Sequence, residues 1–129
     1  MTFVFPIYYT EEYKTKPPKT FMVGINWYRN VHHHLESKVK RHYHELVKNQ
    51  LPPNVTPLEH FTLETKLYYK NKASDGRNVV PIIEKYFLDG LQQHNVVTND
   101  TVINDLGGSW KVVEQSKDNP RCEITLIPL

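Results

Sequence analysis

One cysteine, Cys122, and only five glycines occur in the 129 residues. A lone thiol excludes an internal disulfide framework and points to a reducing, cytoplasmic setting. Cys122 lies in an alternating strand pattern and is expected to be a packed core thiol. No apolar run approaches the roughly 20 residues that cross a bilayer, so no membrane association is expected. The segment Met1–Tyr9 lacks a basic start and is followed by Glu11 and Glu12, so it does not read as a signal peptide. Internal repeats and low-complexity tracts are absent. So are a glycine-rich phosphate loop, a Ser/His/Asp order and a Cys/His nucleophile signature.

What is present suits one domain over residues 1–129. Hydrophobic residues make up 39%, with eight Tyr, five Phe and two Trp, enough for a packed core. Charge is unevenly divided. Lys14 to Arg77 holds twelve Lys or Arg against five acids, whereas Asn78 onward holds four against seven. A basic half joined to an acidic half suits a phosphate-binding surface around a metal-binding centre, or else a plainly solvated exterior.

Lys19 to Trp27 reads as a strand. Asn30 is placed to cap a helix from about Val31 to Gln50, which Pro52-Pro53 ends. Glu59 to Tyr69 alternates as a half-buried strand, with Phe61, Leu63, Thr65, Leu67 and Tyr69 on one face. A second helix runs from Val79 or Pro81 to Gln93, with Pro81 in its first turn. A Gly107-Gly108 turn, a strand Trp110–Glu114, a turn at Lys117–Pro120 and a strand Arg121–Ile127 follow. The order β-α-β-α-β-β predicts a small α/β (α+β) domain with a mixed sheet and two main helices.

Asp75 precedes the second helix, Asp89 lies on it and Asp100 follows it. Loop–helix–loop segments can gather distant carboxylates around a hard cation, and Mg²⁺ needs only one or two of them plus waters and phosphate oxygens. Exposed acids are also ordinary surface. Lys85 and Asp89 share a helix face. His32-His33-His34 is expected to be a solvated face and not a metal site, because consecutive helical residues are rotated by about 100° from one another. Trp27, Tyr28 and Arg29 lie where the first strand meets the basic helix, where an aromatic can stack on an unpaired base.

Asp75-x-x-Asn78, Lys85-x-x-x-Asp89-x-Leu91 and Asn99-Asp100 together resemble the RusA-like family of Holliday-junction resolvases, in its bacteriophage and prophage branch. The resemblance extends to Asn26–Asn30 upstream and Asp118–Arg121 downstream, from about Lys19 to Ile127. It implies a homodimeric crossover junction endodeoxyribonuclease in a bacterial host cell. Such an enzyme is Mg²⁺-dependent, with Mn²⁺ able to substitute, and it cuts four-way DNA junctions by paired nicks that leave a 5′ phosphate. In this chain the resemblance implies Asp75, Asp100 and Asp89 as metal ligands and Lys85 at the scissile phosphate. Asn78 and Asn99 would support the ligands by hydrogen bonding. Arg77 stands where the family has a second Asp, Asn99 where it has the first of an Asp pair, and Asn78 and Lys85 are one helical turn further apart. Arg77 is therefore expected on a phosphate, together with Lys66, Lys70 and Lys72, and with Arg29, Lys38, Lys40 and Arg41 of the first helix region.

Overall fold

Alternation starts at the first residues of the chain. In β1 (Thr2–Pro6) Phe3 and Phe5 are buried while Thr2 and Val4 face out. The computed structural model describes residues 1–129. β2 (Tyr8–Glu11) and β3 (Lys19–Met22) form a two-stranded antiparallel ribbon. Neither β1 nor β2 was expected, although Phe3, Phe5 and Ile7 carry the period of two.

The expected strand Lys19–Trp27 stops at Met22. Ile25–Asn30 instead turns into a short helix, α1. Asn30 is its last residue and not the cap of the next helix. Val31 and His32 are extended, and α2 (His33–Gln50) begins after them, with His32 as its cap. Val39, Tyr43 and Val47 recur every four residues and bury one face of α2.

β4 (Phe61–Tyr69) buries Phe61, Leu63, Thr65 and Leu67 and exposes Glu64 and Lys66, as the alternation requires. α3 runs from Gly76 to Gln93, starting three residues before the earliest expected position because Asp75 caps it. Pro81 therefore lies in the second turn, where its missing N–H leaves the Arg77 carbonyl without a helical donor.

β5 (Asp105–Gln115) absorbs the glycines expected to form a turn. Gly107 and Gly108 take φ of 97° and 149° inside the strand. A Cβ at Gly108 would lie 1.9 Å from the Leu63 carbonyl oxygen, so only glycine fits that approach. β6 (Arg121–Pro128) completes the set.

The main sheet has the order β1-β6-β4-β5. β6 pairs antiparallel with β1 and β4, whereas β4 and β5 run parallel with α3 as their crossover. The result is a small single-domain α/β (α+β) fold with a mixed sheet, two long helices and one short one. One sheet face packs against α2 and α3. The core there includes Phe87 with its ring centroid 5.0 Å from Phe3 and 5.4 Å from Phe5. Cys122 is fully buried, and burial pushes its thiol up to about 12, which makes it an inert core group. Edge strand β5 leaves Leu106, Val112 and Val113 exposed. No helix is long and apolar enough to cross a membrane.

Candidate functional site

The β4–α3 connection ends at Asp75, which is extended (φ −113°, ψ 107°) and exposed. Its Oδ1 accepts the Arg77 N–H at 3.1 Å, and Oδ2 has no protein partner. A short polar side chain at this point satisfies one orphan amide of the first turn, which is why the helix begins here. Gly76 lies so close to the sheet that a Cβ there would meet the Trp110 ring at 2.7 Å. Arg77 then lays its guanidinium 5.5 Å from the centroid of the same indole. Below Asp75 opens a crevice of about 280 Å³ lined by Leu67, Tyr69, Asn71, Lys72, Ser74, Gly76 and Val112. Lys70, with its ammonium 5.1 Å from the Tyr8 ring centroid, lies at the start of the same loop.

Asn78 is used elsewhere. Its Oδ1 accepts the Asn26 N–H at 3.2 Å, tying the start of α1 to α3, so it supports the fold and not a ligand of the Asp75 carboxylate. Lys85 and Asp89 do pair, Nζ to Oδ2 at 3.4 Å, and Lys40 of α2 approaches the same oxygen at 3.9 Å. Two ammonium groups on one carboxylate leave little charge for a cation. Lys85 also lies 5.9 Å from the Tyr28 ring centroid. Asn99 accepts the Gln92 side-chain amide at 3.3 Å and the Asp100 N–H at 2.9 Å, which fixes the exposed turn after the helix.

Within one copy these acids do not converge. α3 has 18 residues, and at about 1.5 Å per residue its ends are some 27 Å apart. Asp75 stands at one end and Asp100 beyond the other, while Asp89 is fourteen positions along from Asp75. The cause is topological. Asp75 follows the carboxyl end of β4, Asp100 precedes the amino end of β5, and the two strands are parallel, so a crossover must return the chain to the opposite end. The single-copy Asp75–Asp89–Asp100 metal site expected from the motif is not assembled.

The cations are dispersed too. Lys38, Lys40 and Arg41 ride on α2 and Arg29 on the last turn of α1. Lys66 projects from the open face of the sheet and the Lys70 ammonium lies over the Tyr8 ring, so of the expected phosphate contacts Lys72, in the crevice wall, and Arg77, bonded through its N–H to Asp75, are the ones grouped at this end of α3.

A carboxylate pair was missed. Glu84 of α3 and Asp105 at the start of β5 both line a cavity of about 260 Å³ with Leu63, Leu88, Gly108 and Trp110. Burial raises the Glu84 carboxyl above its ordinary range, the hydrogen bond from Thr65 (Oγ1 to Oε2, 2.6 Å) opposes this, and Asp105 adds to the rise. The signal was Thr65 itself, a hydroxyl in an otherwise apolar buried row.

Fold and site together define an α/β domain with an acid at the carboxyl end of a parallel strand pair, set among cations. No protein-family model matches the chain, and no curated protein matches it significantly.

Proposed function

We propose that this protein is a homodimeric, Mg²⁺-dependent endonuclease that resolves four-way DNA junctions, of the RusA-like kind its motifs resemble. The observation that carries this reading is the setting of Asp75. An exposed carboxylate lies at the carboxyl end of a parallel strand pair, next to a roomy crevice that Lys72 lines and two residues before Arg77. That end of parallel strands is where open α/β sheets bind ligands.

Asp75 offers one oxygen free of protein partners, and Mg²⁺ takes one or two carboxylates plus waters and phosphate oxygens, so the donor set fits an ion shared with DNA. A bound ion would make a coordinated water more acidic and polarise the phosphodiester. The chain's own contribution is binding and orientation. Lys70 and Lys72 neutralise phosphates, and Arg77, its guanidinium 5.5 Å from the Trp110 ring centroid, presents its fork of donors to one.

A second copy extends the site. Edge strand β5 is unpaired on its outer side and carries exposed Leu106, Val112 and Val113. Such an edge is a template for pairing with another chain. Two β5 strands joined antiparallel about a twofold axis bring the amino end of one to the carboxyl end of the other. The Asp100 end of the second copy then approaches Asp75 of the first, and two such sites can nick opposing strands. Selectivity would rest on junction shape and phosphate spacing.

The separation of the acids within one copy favours a second reading, a junction-binding protein without catalysis. Incubation of the protein with labelled four-way junction and linear duplex, with and without Mg²⁺ or Mn²⁺, tests both. Paired nicks in the junction alone, dependent on metal, are expected. Tight binding with no cleavage in either metal leaves the second reading, and no preference for the junction overturns both.

A further inference from the structure

The α1–α2 junction carries a second cluster of chemistry-bearing groups, remote from Asp75 in the sequence. Three consecutive histidines on a regular helix would diverge, but His32 is not helical. It is extended (φ −68°, ψ 142°), and only His33 and His34 belong to α2. The extended residue folds its ring back over the first turn, where Nδ1 accepts the His34 N–H at 3.3 Å. All three rings then lie together, with centroids 4.6 Å apart for His32–His33, 4.9 Å for His32–His34 and 4.1 Å for His33–His34. One ligating nitrogen from each comes within 4.8 Å of the others. The expected divergence of this triplet is thereby corrected.

The geometry points to a three-histidine site for a borderline transition ion such as Zn²⁺, Co²⁺ or Cu²⁺, with one coordination position left open. Neutral imidazole suits these ions and not Mg²⁺, which takes oxygen ligands. Zn–N bonds of about 2.0–2.1 Å in a tetrahedron put ligand nitrogens about 3.3 Å apart, so the rings must close by about 1.5 Å. All three side chains are exposed and free to do so. One competing interaction sets the affinity. A neutral imidazole has a single lone-pair nitrogen, so His32 must release the His34 N–H to bind an ion. That cap is long at 3.3 Å, and losing it costs the helix start little. His32 also borders a cavity of about 290 Å³ whose wall includes Glu11 and Trp27, and the Trp27 indole N–H is buried without a hydrogen-bond partner. An open metal position beside such a cavity suits a small exogenous ligand with an acceptor oxygen.

The test uses full-length protein carrying no histidine tag, titrated with Co²⁺ and Zn²⁺. One ion per chain is expected by calorimetry, with the visible absorption of tetrahedral cobalt. His33→Ala and His34→Ala should each weaken binding by at least about tenfold. Both sites are exposed, so circular dichroism should be unchanged. His60→Gln, at a histidine outside the triplet, should leave binding intact. Absence of stoichiometric binding overturns the proposal. So does binding that survives both alanine variants, or that falls equally with His60→Gln.

Discussion

The two ends of α3 differ in what surrounds their acids. At the Asp75 end one carboxylate stands between Lys72, which lines a crevice, and Arg77, whose N–H it accepts. At the Asp100 end the acid sits in a turn stapled by Asn99 and Gln92, with no lysine or arginine from Gln92 to Gly108. Asp75 and Asp100 thus lie at opposite ends of one parallel β-α-β unit. In the dimer proposed above, a second copy running the other way places them face to face.

The largest effect should come from breaking that arrangement. Asp75→Asn should lower junction cleavage by about 100-fold or more while leaving binding intact, because the charge is lost and the shape kept. If Asp100 acts across the dimer, Asp100→Asn should be similarly inactive, and mixing the two inactive variants should restore nicking of one strand. Mixed dimers would hold one site with both substitutions and one with neither. Complete inactivity of the mixture, read on a gel of labelled junction, would place both acids in separate or single-copy roles.

Next in size is the backbone that seats β5 on β4. Gly108→Ala forces a Cβ against the Leu63 carbonyl and should cost about 3 kcal/mol in denaturant unfolding. Gly76→Ala meets only the Trp110 ring edge and should cost about 1 kcal/mol. Equal losses would show that the two ends are equally tight.

Val112→Lys on the exposed edge should convert a dimer to the 15.2 kDa monomer in light scattering. Monomer stability should change by no more than about 0.5 kcal/mol, as at most surface positions. A dimer that survived would move the interface away from β5.

A pH effect follows from Glu84. Its folded pKa is raised above the ordinary 4.5, so the folded state holds the proton more strongly than the unfolded chain. Stability therefore falls as pH rises through that region and above. Glu84→Gln keeps an acceptor for Thr65 and should flatten the decline, raising the thermal midpoint at pH 7 relative to pH 4. An unchanged profile would mean that Glu84 does not control it.

Smallest is Lys85→Ala, which removes an exposed i,i+4 pair worth a few tenths of a kcal/mol. A cleavage loss far beyond that stability change would give Lys85 a part at the phosphate.

Much of the sheet was legible because period-two patterns are local. Phe61-x-Leu63-x-Thr65-x-Leu67 announces both β4 and its buried face, and Val39, Tyr43 and Val47 announce α2. β1 is equally readable in the alternation of Phe3, Phe5 and Ile7. α1 was not readable. Ile25-Asn-Trp-Tyr has strand-like composition, and six residues are too few for helical periodicity to show. Gly107-Gly108 looked like a turn because positive φ is common there, but a strand irregularity opposite Leu63 needs it as well. The acids were visible, yet their distance apart depends on β5 lying parallel to β4, which no local spacing encodes. The histidine rings converge for the opposite reason. The helix begins two residues later than its pattern suggests, and a single extended residue, His32, changes where its ring points.

The order β1-β6-β4-β5 also has a consequence in time. β6 is the last strand made, and it lies inside the sheet, between the first strand and β4. Met1 and Leu126 meet across 125 residues. During synthesis the Phe3 and Phe5 side chains have no sheet to join until Arg121–Pro128 has emerged, so the native sheet must form after translation of that strand, through slow long-range closure. Until then β1 is unpaired and β4 keeps one open edge, the kind of surface on which chains pair wrongly.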